Sequence, residues 1–155
     1  MKARIKFGLI VGGIGLILNI CVCFMIGLCG PVVALLAGVI AGLLAAQQEV
    51  LTYKKDGALC GATAGGIAGA LMLIGQVIAA IGTSVFYQYS NTPTIFGEVP
   101  APTAGSDEQI FYYAGSLLGS FCYGLVGVTL SAIGGAITGY IATSESPNPT
   151  QEYYG

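Results

Sequence analysis

Four sulfur side chains stand close together in the sequence: Cys21, Cys23, Met25 and Cys29. Thiolate and thioether donors are the ligands that select soft metals. Their spacing works against that use. At 3.6 residues per turn, positions i and i+2 of a helix point about 200° apart, so Cys21 and Cys23 do not converge on one ion. A cysteine inside an apolar run behaves as a small apolar side chain. Cys60 and Cys122 belong to other segments. A disulfide from Cys29 would need a partner at its own depth, which neither supplies well. No metal site and no cofactor is expected.

Catalytic groups are equally sparse. The chain has no His and no Trp, which removes the usual proton shuttle near neutral pH. There is no Ser-x-x-Lys pair and no Gly-x-Ser-x-Gly elbow, and Gly65-Gly66 lies in an apolar run with no Lys after it to cradle a phosphate. No catalytic residue is expected. Asn19 and Gln76 are the only amides deep in apolar segments, and hydroxyls come from Ser116, Ser120, Thr129, Ser131 and Thr138. No acid or base sits in those segments. Ion coupling needs an ionisable group within the membrane, so an ion-coupled transporter or a rotary-type proteolipid is disfavoured. Asn19, Gln76, Ser120 and Ser131 are expected to make polar contacts between helices or, alternatively, to line a pore.

The strongest local pattern is small residues every fourth position. One row is Gly57, Gly61, Gly65 and Gly69, with Ala62, Gly66 and Ala70 beside it. A second is Ala34, Gly38, Gly42 and Ala46. A third is Gly127, Ser131, Gly135 and Gly139, preceded by Gly115 and Gly119. In lipid no hydrophobic force draws helices together, and association depends on the close backbone approach that such rows allow. Gly38, Gly42, Gly57, Gly61, Gly65, Gly69, Gly135 and Gly139 are therefore the expected packing positions of a glycine zipper. The row at Gly57–Gly69 is expected to meet the second helix, its neighbour in sequence, while Leu73 should face lipid.

The elements that carry these rows follow from charge. Residues 7–48, 57–97 and 109–144 contain no charged side chain, and charged residues make up 8% of the chain where a soluble domain has about 25%. Mean hydropathy is +0.82. Uncharged runs of this length are membrane spans. The first run, 42 residues, would make a helix of about 63 Å against a hydrocarbon core of about 30 Å, so it must turn. Its breaker is Gly30-Pro31, since Pro suits the first turn of a helix. It is too long for the apolar region of a signal peptide and no Ala-x-Ala site ends it.

The expected fold is an all-α integral membrane protein, a bundle of four transmembrane helices forming a single membrane domain over 1–155. The helices are placed at about 6–28, 31–52, 57–87 and 108–142, with a Pro-rich outer loop at 88–107 and a tail at 143–155. Ser106 and Gln109 read as a capping box. The third and fourth helices exceed the bilayer and should project, carrying an aromatic collar of Phe86, Tyr87, Tyr89, Phe111, Tyr112 and Tyr113.

Lys2, Arg4, Lys6, Lys54 and Lys55 are the only basic residues. They assign both termini to the cytoplasmic side of a cell membrane, and they are too few for a nucleic-acid surface. The expected partners are the lipid bilayer, copies of the same chain or other membrane subunits. The expected function is that of a small non-enzymatic structural or accessory subunit acting by helix packing in a homo-oligomer or larger complex. The alternative is a small channel or permeation protein.

Overall fold

A computed structural model describes residues 2–25, 30–49, 51, 53–90 and 107–143. Four α-helices account for nearly all of them: α1 (Ala3–Met25), α2 (Gly30–Gln48), α3 (Lys54–Ser90) and α4 (Asp107–Ala142). All four are long and apolar enough to cross a membrane, which suggests a multi-pass membrane protein. The helical state follows from that setting. Without water in a bilayer core, every backbone N–H and C=O needs an internal partner, and a helix supplies one within its own segment.

Local chemistry sets the helix starts. Pro31 lies in the first turn of α2, where a missing N–H leaves nothing unsatisfied. At the start of α3, Asp56 and Gly57 donate their N–H groups to the Tyr53 carbonyl at 3.0 and 3.2 Å. Asp56 lies in the first turn, where its charge suits the positive end of the helix dipole. The third helix thus starts three residues before the expected 57 and continues to Ser90. Ser106, the expected cap of α4, the Pro-rich loop and the tail beyond Thr143 lie outside the described residues.

Side-chain contacts fix which ends lie together. Arg4 in α1 reaches Glu49 just after α2, and Lys54 in α3 lies 5.6 Å above the Tyr140 ring in α4. The starts of α1 and α3 and the ends of α2 and α4 therefore share one end of the bundle. α2 and α3 sit at the centre. α4 packs on both of them, α1 packs on both from the other side, and α1 and α4 do not touch among the described residues.

The core is made of small side chains. Ala41, Ala45, Cys60, Ala64 and Ala68 form its centre, all at 1% exposure or less, and Ala34, Ala37 and Met72 form a second cluster. The large apolar residues point outward instead: Ile17, Val32, Leu59, Leu118 and Ile141 are all more than 60% exposed. In water that pattern would be costly; in lipid, large chains outside and small chains inside is the arrangement that brings backbones together.

α3 and α4 are longer than the other two, with 37 and 36 residues. Gly30 lies beside Gln76, so α3 runs on for about 20 Å past the start of α2. In this extended part Ser84 and Ser116 are bridged by a hydroxyl contact of 3.3 Å. Phe86 and Phe111 are exposed, and Tyr112 and Tyr113 meet edge to face at 5.9 Å. The side chains of Tyr87 and Tyr89 lie outside the described set.

Candidate functional site

The tightest part of the molecule is the seam where α4 enters the groove between α2 and α3. On α3, a methyl group added at Gly57, Gly61 or Gly65 would strike the backbone carbonyl of Gly139, Gly135 or Ser131 respectively, and one at Gly69 would lie 2.9 Å from Val128 Cα. On α2, a methyl at Gly38 would strike Ser131, and one at Gly42 would lie 2.5 Å from the Gly135 carbonyl oxygen. Seen from α4, Gly135 is hemmed by Gly61 and by the Gly38 carbonyl, and Gly139 by Gly57. Ser131 and Gly135 thus face both partner helices at once.

This corrects one expectation. The row Gly57, Gly61, Gly65 and Gly69 meets α4 and not the second helix. α3 has two small-residue faces, and the one turned towards α1 and α2 is built on Ala64 and Ala68. The glycine face lies against Ser131, Gly135 and Gly139 of α4, while Gly38 and Gly42 of α2 close on the same helix from its other side. Leu73, expected to face lipid, is half-buried, with its Cγ 2.9 Å from where a methyl on Gly124 would stand.

α1 uses the same device more simply. A methyl on Gly8 would lie 2.9 Å from the Ala64 carbonyl oxygen, and one on Gly12 would lie 2.8 Å from Ala68 Cα.

The polar groups serve these contacts. The Ser131 hydroxyl, fully buried, donates to the Gly65 carbonyl across the α4–α3 seam at 2.7 Å. The Thr138 hydroxyl lies 3.2 Å from the Val39 carbonyl of α2 and within 2.9 and 3.1 Å of the Gly134 and Gly135 carbonyls of its own helix, so one proton is shared among three acceptors. The Asn19 amide, 1% exposed, donates to the Met72 carbonyl at 3.2 Å, tying α1 to α3. Gln76, one turn further along α3, is half-buried between the start of α2 and the middle of α4: methyls on Gly30 and Gly124 would lie 2.9 Å from its Nε2 and 3.5 Å from its Oε1. Ser120 is half-buried on the extended part of α4.

Sequence reasoning missed a second polar cluster. The Arg4 backbone N–H donates to Glu49 Oε1 at 3.3 Å, the Arg4 guanidinium Nε lies 3.4 Å from the same oxygen, and the buried Cys60 thiol donates to Glu49 Oε2 at 3.5 Å. The available signal was topological. Glu49 is the acid that ends the second uncharged helix, and an even number of crossings returns that end to the level of Arg4. Partial burial opposes the Glu49 charge, but the Arg4 N–H, the Cys60 thiol and the Arg4 cation outweigh it and hold the carboxyl below its ordinary value of 4.5. Cys21 and Cys122 are free and exposed. Cys29 lies outside the described residues. Among the described residues, no three His, Cys, Asp or Glu side chains gather at metal-binding distance.

No family model, curated protein or solved structure matches this chain.

Two measurements test this geometry. Gly65→Leu should destabilise the bundle by about 1–3 kcal/mol or more, because the seam has no spare volume. Gly66→Leu, one residue along, should leave the melting of an isolated copy within about 0.5 kcal/mol, since a methyl there meets nothing within 4 Å. Equal effects in thermal melts would refute the assignment of faces.

The second concerns pH. A carboxyl whose folded pKa is lowered contributes stability that is present above 4.5 and lost as pH falls through the folded value. Acid titration of the parent should show that loss, and Glu49→Gln should remove it while costing at most about 1 kcal/mol at neutral pH. A variant as acid-sensitive as the parent would show that the Arg4–Glu49 contact contributes nothing.

Proposed function

We propose that this chain is a non-enzymatic structural or accessory subunit of a membrane assembly, acting through glycine-zipper packing with copies of itself or with other membrane subunits. The reading rests on a contrast between two adjacent faces of α3. Gly57, Gly61, Gly65 and Gly69 are closed by α4, whereas Gly66, flanked by Ala62 and Ala70, has open space where its side chain would be. Gly115 and Gly119 on the extended part of α4 are open in the same way. A face lined with Leu or Ile would suffice for contact with lipid. A small-residue face that no helix uses among the described residues instead suits close approach by a helix from outside.

The alternative of a pore fits these side chains less well. Asn19 and Ser131 are buried and donate to α3 carbonyls, so lining a channel would require breaking the seams they tie. The site is best read as packing surface in a multi-pass protein of the cell membrane, with both termini cytoplasmic.

Assembly and topology are tested separately. In mild detergent or native membranes, the parent should migrate as a homo-oligomer or with a co-purifying membrane protein. Gly66→Leu should release it as a folded single copy. A parent that is a lone monomer, or an assembly indifferent to Gly66→Leu, would defeat the proposal. In intact cells a cysteine introduced at Thr103 should react with an impermeant maleimide and one at Ser146 should not. The opposite pattern would reverse the orientation.

A further inference from the structure

The first turn of α1 is built on Lys2: the Ile5 and Lys6 N–H groups both donate to its carbonyl, at 3.1 and 3.2 Å. Lys2 and Lys6 are therefore one helical turn apart on a single face, and both are exposed. That face points away from the protein, because Gly8, Gly12 and Gly15 turn the opposite side of α1 onto α3. Along the same outward stripe follow Ile10, 47% exposed, Gly13, where a methyl would meet nothing within 4 Å, and Ile17, 64% exposed. Two cations thus head an apolar strip with a notch in its middle. Helical side chains lean towards the N-terminus, which carries the Lys6 ammonium towards Lys2. Among the described residues, the nearby charges are otherwise engaged or elsewhere. Arg4 faces Glu49 and Lys54 lies over Tyr140, while Lys55 and Asp56 stand side by side on α3.

We propose that this outward face of α1 is a binding site for one anionic phospholipid, its phosphate held between the Lys2 and Lys6 ammonium groups and an acyl chain lying along Ile10, Gly13 and Ile17. Ammonium–phosphate hydrogen bonds are charge-assisted, and each lysine near an anionic leaflet strengthens association about fivefold. A zwitterionic lipid offers the same phosphate, but its own cation offsets the attraction. The head charge of the lipid therefore decides occupancy, and the notch at Gly13 gives the chain room to lie close.

The test uses the full chain reconstituted in phosphatidylcholine bilayers carrying a trace of spin-labelled lipid. Spin-labelled phosphatidylglycerol should associate several-fold more strongly than spin-labelled phosphatidylcholine, and the preference should shrink as salt is raised. Lys2→Gln or Lys6→Gln should each remove most of that several-fold preference, Lys55→Gln should leave it unchanged, and inorganic phosphate should not displace the lipid. Equal association of the two lipids would overturn the proposal. So would a loss on Lys55→Gln as large as that on Lys6→Gln, which would mean diffuse charge in place of a site. A disulfide between copies that depends on Gly13→Cys would put a second copy on this face and would also overturn it.

Discussion

The close approach of α4 to both α2 and α3 is the constraint on which the rest depends. In a bilayer, lipid tails are as apolar as Leu, so burying large side chains between helices gains little. What remains is dispersion between well-fitted surfaces, together with interhelix hydrogen bonds. Both grow as the backbones come together. The residues at the seam are accordingly Gly38, Gly42, Gly57, Gly61, Gly65, Ser131, Gly135 and Gly139. The bulky residues lie outside, where lipid chains would meet them.

Other features follow from that closeness. Once α4 lies in the groove, the Ser131 hydroxyl is within reach of the Gly65 carbonyl and Thr138 within reach of Val39. Such bonds in membranes contribute on the order of 0.6 kcal/mol each, so they fix register more than they supply stability. α1 is held by a lighter version of the same contact, with Gly8 and Gly12 on Ala64 and Ala68. A polar tie secures it at each of two levels, Asn19 to Met72 and Arg4 to Glu49. Among the described residues it touches α2 and α3 but not α4. The centre of the protein is therefore the α2–α3–α4 seam, with α1 laid against it.

Much of this was legible in the sequence. The uncharged runs required helices, the Gly30-Pro31 breaker marked the start of α2, and the four-residue rows marked faces that a neighbouring backbone could approach. What the sequence did not contain was the partner of each row. α3 carries glycine on one face and alanine on the next, and α2 and α4 both offer complementary rows, so spacing alone leaves the pairing open. Adjacency in the chain favoured α2 against the glycine row. The geometry gives it to α4, because Ser131 and Gly135 are narrow enough to face two helices together. The Arg4–Glu49–Cys60 cluster was missed for a different reason. Its members are distant in sequence, and each has a sufficient local explanation as a flanking charge or a small apolar residue.

The central claim is that the α3 and α4 backbones are in contact at Gly61 and Gly135. Solid-state NMR on protein reconstituted in bilayers, with the Gly61 carbonyl carbon and the Gly135 α-carbon both labelled, measures that separation directly. Contact predicts strong dipolar coupling and a distance of about 4 Å, that of touching heavy atoms. Absence of coupling between the two carbons, as when intervening side chains hold the backbones apart, would contradict the account.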